Sequence, residues 1–412
     1  MELTPVQITT IRTDIALPFA LWDKEGRLLA RSGSVIDDRR ELQTLLRARD
    51  DVYIDVRDSE EHQRFHHSRL LTMVMNEERI GKIADTTSRS SDRLQRAVTA
   101  GPTDNDTEPD WIYVQEQAHA ILRNGRDEAF LRQIDRLEHR ISRYSRLNPD
   151  GALMALIQMA SVEVERYSAT HSVLVSVLCG IASREVLQWT TQQQSLLCQA
   201  ALTMNIGMTE LQDRLAQQSE PLAPLQRRNV GQHAERSVEL LTKLGLQDST
   251  WLEAVRHHHT QEPGPLAQRS AGGRLARLIQ RADMFAAAMS PRVGRRPVPP
   301  GKAMKSIYFD ENHKVDEAGA ALIKAVGIYS PGSYVRLQSD EVAIVVRRGA
   351  NTTTPLAAVI LNRKGMPQAE LTVRDTVQPE FKVIASIPYD GVRVKPNLKR
   401  LLPLTLRNTV SN

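Results

Sequence analysis

An ordered series of histidine and aspartate residues is the part of this sequence that could do chemistry. The series consists of His171, His233, the run His257–His259, and Asp283. Imidazole and carboxylate groups on successive helices are ligands with which proteins hold transition metals. A bound metal can generate a hydroxide nucleophile and neutralise phosphate charge. The series therefore indicates a metal-dependent phosphohydrolase site.

The helices that carry the first and last members of the series indicate how such a site is positioned. His171 shares one helical face with Leu174 and Leu178, so it is expected to point into a core. Asp283 lies at the margin of an apolar stripe, next to Ile279. A buried carboxylate without a partner is costly, so a partner for Asp283 is expected. A hydrogen-bonded structural cluster of histidines is the alternative to a metal site.

The pattern of apolar residues predicts a mainly α fold with smaller strand-containing parts at both ends. Residues 1–60 are expected to form a small α+β domain, with a hairpin at the turn Lys24–Gly26. Residues 61–110 are predicted to be a helical connector and linker, because the end of this segment is polar and rich in turn formers. Residues 111–331 are predicted to be a helical domain, and residues 332–412 a β-rich appendage.

Cysteine usage and hydropathy predict a cytoplasmic protein. Cys179 and Cys198 are the only cysteines, and both lie in apolar helical stretches, which is typical of free thiols in a reducing compartment. The N-terminus lacks a basic region followed by an apolar run, so no signal peptide is expected. No stretch of about 18 apolar residues is present, so membrane insertion is not expected.

The charge balance does not indicate a nucleic-acid partner. A net charge of +5 and a pI near 9.2 are a mild excess on 412 residues, which is more typical of a solvated surface than of a nucleic-acid footprint. Aromatic residues make up 4% of the chain, and stacking platforms for bases need aromatic side chains among the basic ones.

Taken together, the motifs resemble those of the HD-GYP family, bacterial phosphohydrolases that hydrolyse cyclic di-GMP. The resemblance covers about residues 111–350. It rests on the segments THSVLVSVLCGIA, AALTMNIGM, GQHAERSVELL, AVRHHHTQE, ARLIQRADMFAAAMSPR and GIYSPGSYVRLQSDEVAIVV. The resemblance implies an HD-type helical bundle whose histidines and aspartates hold two or three transition metals.

Position by position, the resemblance implies a set of metal ligands and a set of phosphate contacts. The residues that match family ligands are His171, His233, His258, His259 and Asp283. Spacing from His233 favours His258 and His259 over His257. The residues that stand where the family places phosphate-contacting cations are Arg292, Arg295, Arg296 and Lys302. Guanidinium groups suit phosphate oxygens, and a solvated loop held by prolines is an equal alternative.

The chain departs from the family at the centre of the expected site. Met204 and Asn205 stand where the family has its metal-bridging His-Asp pair, and Met208 stands where it has a lysine. An amide oxygen carries no charge and is a poor bridge between two cations, and a thioether suits copper(I). Tyr167 stands where trinuclear members have a glutamate. The loop at residues 260–265 is shortened and lacks the Gly-Tyr-Pro sequence.

Three hypotheses follow from this mixture of retained and lost residues. The first is a bacterial signalling protein related to cyclic di-GMP, with a degenerate and catalytically impaired HD-GYP domain that binds a nucleotide or a protein partner. The alternative is an active phosphodiesterase with an altered site that keeps one iron, manganese or zinc ion. A scaffold that binds no nucleotide is the third. The sequence indicates neither the partner protein nor the oligomeric state.

Overall fold

Helices dominate the part of the chain that the structure describes. The computed structural model describes residues 109–124, 129–292, 297–368, 370–392, 394 and 398–406, together with four short strands near the N-terminus. The first six helices are α1 (Trp111–Arg123), α2 (Phe130–Leu147), α3 (Pro149–Ala160), α4 (Tyr167–Glu185), α5 (Thr191–Thr203) and α6 (Thr209–Gln217). The others are α7 (Pro224–Gly231), α8 (His233–Lys243), α9 (Ser249–His257), α10 (Ala271–Met289), α11 (Pro300–Ser306), α12 (Glu317–Val326) and α13 (Leu398–Thr405).

Helix α4 is the central element of the helical part. Every residue from Tyr167 to Ser183 is buried, which is typical of a helix surrounded by others on all sides. Small residues on α4 allow close approach, and a Cβ placed on Gly180 would lie 3.2 Å from the Cys198 Sγ of α5. Helices α1, α3, α5, α10 and α12 all contact α4. His171 is therefore carried on the best-protected helix of the described residues.

Side-chain caps mark the beginnings of several of these helices. The Asp110 carboxylate accepts from the Tyr113 amide at the start of α1. The Thr190 hydroxyl and the Gln193 side chain form a reciprocal capping box on α5. Asp316 caps α12 by accepting from the Gly319 amide at 2.8 Å. Each cap satisfies amides that have no partner within the helix.

The C-terminal strands form one antiparallel sheet that packs on the helices. Its strands are β5 (Tyr334–Leu337), β6 (Val342–Arg347), β7 (Leu356–Leu361), β8 (Val373–Asp375) and β9 (Val383–Ile387), in the spatial order β8-β7-β6-β5-β9. One face packs in a core with Met154 of α3 and Leu401 of α13. Strands β5, β6, β7 and β9 were predicted, and β8 and α13 were not.

The N-terminal unit contains a second antiparallel sheet. Its strands are β1 (Leu3–Val6), β2 (Leu21–Trp22), β3 (Leu28–Ala30) and β4 (Val52–Asp55), in the order β1-β4-β2-β3. The predicted hairpin is confirmed, because Leu21 pairs with Ala30 and Trp22 with Leu28. The segment between β3 and β4 and the helical part of the predicted connector at residues 61–110 lie outside the described residues.

The mainly α fold class is confirmed by this arrangement of helices and small sheets. The chain divides into the units Met1–Ala100 and Gly101–Asn412, so the C-terminal sheet and the helices lie in the same unit. The finer domain boundaries stay a prediction. Among the described residues, no helix combines the length and apolar character that crossing a membrane requires.

Candidate metal centre

Three histidines converge where α8 begins and α9 ends. His233 is the first residue of α8, and His258 and His259 directly follow α9. The ligand atoms of the three side chains all lie within 4.8 Å of one another. The His233 Nε2 lies 3.1 Å from the His258 Nε2 and 3.2 Å from the His259 Nε2. His233 and His258 are buried and His259 is exposed, so the cluster opens to solvent on one side.

Backbone carbonyls fix the orientation of the two buried rings. The His233 Nδ1 lies 2.6 Å from the Val230 carbonyl oxygen, and the His258 Nδ1 lies 2.6 Å from the Val255 carbonyl oxygen. A carbonyl oxygen can only accept, so these contacts assign the proton to Nδ1 and leave a lone pair on Nε2. Two lone pairs then face each other at hydrogen-bond distance. A cation bound by both Nε2 atoms removes that repulsion. Histidines that bind a metal usually donate a hydrogen bond from their other ring nitrogen, as these two do to backbone carbonyls.

The buried rings are held in the neutral form. Burial, followed by the charge of His259, lowers the pKa of His258 to about 3 although Asp283 opposes the shift. Burial also lowers the pKa of His233, and its hydrogen bond to Val230 opposes that shift. Neutral imidazole is the form that binds a metal. The two buried rings are thus in their ligand form at neutral pH.

His171 and Asp283 form a separate pair between α4 and α10. The His171 Nε2 lies 2.6 Å from the Asp283 Oδ1, with the two side chains 1% and 14% exposed. Burial acts against the ionised carboxylate, but the hydrogen bond and charge of His171, together with His258 and His259, lower the pKa of Asp283 to about 2. The partner that the sequence required for Asp283 is therefore His171.

The outer side of the His171 ring differs from those of the clustered histidines. Its Nδ1 is buried and finds no hydrogen-bond partner among the described residues. The Tyr167 ring stacks on His171 with centroids 5.5 Å apart and planes 10° apart. Arg292 donates to the Tyr167 hydroxyl at 3.2 Å and lies 5.3 Å from the centre of that ring. His171 is held by its hydrogen bond to Asp283 and by stacking on Tyr167, without the carbonyl anchor found at His233 and His258.

The residues at the family's bridging position are buried next to α8. Met204 is fully buried in the helical core, and Asn205 is 4% exposed with an Oδ1 that has no partner among the described side chains and backbone. A Cβ on Gly207 would lie 2.9 Å from the His233 carbonyl oxygen, which places this segment against the start of α8. Met208 is half-buried in the following turn. The segment adds no carboxylate to the three histidines.

The donor set fits one metal ion better than two. Three neutral imidazole nitrogens with an open side suit a single tetrahedral ion such as Zn²⁺. A second ion beside the first needs a bridging anion, and Asn205 offers only a neutral amide oxygen. Of the five ligands implied by the resemblance, the structure gathers His233, His258 and His259, and it pairs His171 with Asp283 apart from them.

The predicted phosphate-contacting residues do not form one described patch. Arg292 is half-buried and engaged by Tyr167. Lys302 is exposed on α11. Arg295 and Arg296 lie outside the described residues. Arg292 is thus the member of this set that the structure connects with the His171–Asp283 pair.

A buried glutamine of α10 is a site residue that the sequence analysis missed. The Gln280 Nε2 donates to the Thr260 carbonyl oxygen at 3.0 Å, directly after His259. The contact joins residues 20 positions apart through a backbone oxygen, so no side-chain pattern signals it. The only available hint was a polar residue inside the apolar stripe of α10, one turn before Asp283.

Comparisons with known proteins show which domain family the site-bearing residues match. A family model described as HD domain matches residues 153–319, a range that contains all three clustered histidines and the His171–Asp283 pair. The cyclic di-GMP phosphodiesterase PA4108 of Pseudomonas aeruginosa is 25% identical over 225 residues, which are 53% of this chain and 53% of that protein. The chain thus matches about half the length of this curated relative.

A solved structure is also similar. Bd1817, an HDGYP protein from Bdellovibrio bacteriovorus, has 17% sequence identity and a TM-score of 0.37, with 78% of this chain and 98% of that one covered. Residues 153–319 match the HD domain family model, and this match and the cyclic di-GMP phosphodiesterase are consistent with the HD-GYP resemblance predicted from the motifs.

Proposed function

We propose that this chain is a bacterial signalling protein related to cyclic di-GMP, whose HD domain lacks efficient phosphodiesterase activity. It acts by binding the nucleotide or a protein partner. The observation that carries the proposal is the donor set, in which three histidine nitrogens converge without a bridging carboxylate. The similarity to a cyclic di-GMP phosphodiesterase supports the choice of nucleotide.

Charge balance is the physical reason for impaired hydrolysis. Two-metal hydrolases stabilise the attacking and the leaving oxygen of the phosphodiester with an ion on each side. Three neutral imidazoles can hold one ion, but they do not compensate the charge of a second ion close by. Asn205 has no charge to contribute, and Asp283 is engaged by His171 at 2.6 Å.

The residues divide into a metal-holding set and a supporting pair. His233, His258 and His259 would hold the ion, and a bound ion would polarise a phosphate oxygen or lower the pKa of a water molecule. His171 orients the Asp283 carboxylate and keeps it ionised. That negative charge lies near the clustered histidines and favours a cation there.

Arg292 is the best candidate for a nucleotide contact. It is half-exposed and held near the site by Tyr167. Hydrogen bonds to charged groups contribute about 1.5–3 kcal/mol, so Arg292→Ala is expected to weaken cyclic di-GMP binding by about 10- to 100-fold. Lys305→Ala, which removes an exposed cation of α11 that lies outside the predicted set, is the matched control and should bind like wild type.

Calorimetry with cyclic di-GMP tests the proposal on the full-length chain. Binding with intact nucleotide recovered afterwards would support it. If Arg292→Ala and Lys305→Ala weaken the binding of cyclic di-GMP equally, Arg292 is not part of the site. If neither heat nor turnover is observed, the chain is a scaffold that does not bind this nucleotide, and the proposed partner is wrong.

An active hydrolase with one metal ion is the second candidate. It is favoured by the carbonyl anchors on His233 and His258, which orient both rings for a metal. Metal content and activity of His233→Ala and Asp283→Ala separate the candidates. If both variants keep the metal content and activity of wild type, the enzymatic candidate fails.

A further inference from the structure

The loop that follows the clustered histidines is fastened to the rest of the domain by side chains. The Thr260 carbonyl accepts from the Gln280 Nε2 of α10 at 3.0 Å. Farther along the loop, the Leu266 amide donates to the Glu317 Oε2 of α12 at 2.8 Å. This loop is the shortened segment in which the chain departs from its family. Its path is thus fixed at both ends by side chains of α10 and α12.

Gln280 is itself locked by a buried ion network. It is 4% exposed, and its Oε1 accepts from the Arg277 Nη1 at 2.7 Å. The Arg277 side chain is 1% exposed and makes salt bridges to Asp316 at 2.7 Å and to Glu311 at 2.9 Å. A buried guanidinium paired with two carboxylates is a rigid support. The network therefore holds the glutamine in one place.

The two ends of the Gln280 amide have partners of opposite kind. A guanidinium can only donate, so the amide atom of Gln280 that faces Arg277 is the oxygen. A carbonyl can only accept, so the amide atom that faces Thr260 is the nitrogen. Both contacts would be lost if the amide rotated by half a turn. Gln280 thus links the position of the Thr260 carbonyl to that of the ion network.

We propose that Gln280 is a positioning residue for the three-histidine cluster. It holds the Thr260 carbonyl and thereby the turn in which the Thr260 amide donates to the His257 carbonyl at 2.9 Å. His258 and His259 lie inside that turn. Metal sites tolerate displacements of about 0.5 Å in their ligands, so a looser turn would separate the ring nitrogens of His258 and His259 from that of His233. The part of this inference that concerns metal rests on the proposed metal-holding role of the cluster.

Two substitutions separate the two contacts of Gln280. Gln280→Ala removes both. Gln280→Glu keeps an acceptor for Arg277 but has no proton to donate to Thr260 at neutral pH, so it removes the loop contact alone. Gln158→Ala is the matched control, because the Gln158 Nε2 donates to the Gly332 carbonyl at 2.5 Å and its Oε1 accepts from the Tyr334 hydroxyl at 3.2 Å.

Amide hydrogen exchange in the metal-free, full-length chain is the first measurement. Both Gln280 variants are expected to exchange about fivefold faster in residues 257–262, which is the effect of one typical hydrogen bond of about 1 kcal/mol. Gln158→Ala should leave this segment unchanged. Unchanged exchange in Gln280→Glu, or equal acceleration in the Gln158 control, would overturn the proposal.

Titration with Co²⁺, followed by its visible absorption, is the second measurement. Loss of a hydrogen bond that supports the metal ligands typically weakens metal binding by about 10- to 100-fold. Both Gln280 variants should therefore bind Co²⁺ at least tenfold more weakly than wild type and Gln158→Ala. Equal affinity in all four proteins would contradict a positioning role. If wild type itself binds no Co²⁺, the metal-holding role of the cluster fails, and hydrogen exchange still decides whether Gln280 positions the turn.

Discussion

The second ring nitrogen distinguishes the two buried histidines that are proposed to hold a metal, His233 and His258, from His171. At His233 and His258 that nitrogen donates to a backbone carbonyl and turns the other nitrogen toward the cluster. At His171 it has no partner among the described residues, and the inward nitrogen binds Asp283 instead. Sequence spacing suggested that all of these residues face one site, but spacing gives no information on how each imidazole ring is oriented.

The run of three histidines provides a direct test at the residue scale. His233→Ala removes a ligand from the cluster and is expected to lower Co²⁺ or Zn²⁺ affinity by at least a hundredfold. His257→Ala is the control, because His257 is exposed and its Nδ1 faces the Thr260 hydroxyl at 3.2 Å. Calorimetric titration measures both variants. Equal losses in the two would mean that the cluster does not hold the ion.

Restoring the lost pair tests the alignment of Met204 and Asn205. The double substitution Met204→His and Asn205→Asp should give a metal-dependent rise in melting temperature that wild type lacks or shows less strongly. Without metal, the double variant should be less stable by about 2–5 kcal/mol, because a buried carboxylate replaces a neutral group. Bound metal should recover this loss.

Thermal melts with and without Mn²⁺ measure that effect. Much less gain in hydrolysis is expected, since Met208 and the shortened loop remain. A melting temperature of the double variant that does not respond to metal would show that Met204 and Asn205 do not occupy the ligand-pair position.

At the scale of elements, α10 is joined to α12 by buried charge. Asp316 caps α12 through the Gly319 amide and also pairs with Arg277 and Arg281 of α10. Removing one partner of a buried ion pair leaves an uncompensated charge. The position of α10, and with it that of Asp283, therefore depends on a carboxylate 33 residues farther along the chain.

Comparing two helix caps isolates the contribution of that pairing. Asp316→Ala is expected to lower the free energy of unfolding by about 3–5 kcal/mol. Asp248→Ala removes a cap whose carboxylate accepts from the Trp251 amide at 2.9 Å, and it should cost only about 1 kcal/mol. Urea unfolding of both variants measures the difference. Equal losses would mean that the arginine pairs contribute little beyond the cap.

Much of the helical architecture could be predicted, because apolar periodicity reports which face of an element is buried. The burial of His171 and the need of Asp283 for a partner followed from that periodicity. The contact between Gln280 and Thr260 could not be predicted, since it joins a side chain to a backbone oxygen. Helix α13 was missed because residues 332–412 were predicted to be β-rich, whereas Leu401 of this helix is buried against the sheet.

At the scale of the whole molecule, the buried histidines make stability depend on pH. The pKa of His258 is lowered to about 3 in the folded chain, whereas an unfolded histidine has a pKa near 6.5. Between these values the unfolded chain binds more protons, so stability falls as the pH falls. Asp283, with a pKa of about 2, adds a loss in the same direction below about pH 4.

The metal-free chain is therefore expected to lose about 2 kcal/mol of unfolding free energy between pH 6.5 and pH 5 through His258. His258→Gln, which cannot take up a proton, should flatten this part of the profile. Urea unfolding at a series of pH values measures both proteins. A wild-type profile no steeper than that of His258→Gln would contradict the assignment of a neutral, buried ring.

The turnover of cyclic di-GMP tests the central claim most directly. The purified full-length chain is loaded with Mn²⁺, Fe²⁺ or Zn²⁺, and the nucleotide is quantified over time beside His233→Ala treated in the same way. We predict that the nucleotide stays intact and that the two proteins do not differ, because one ion held by three neutral histidines lacks the second charge that hydrolysis needs. Robust, metal-dependent turnover by wild type that disappears in His233→Ala would contradict the account.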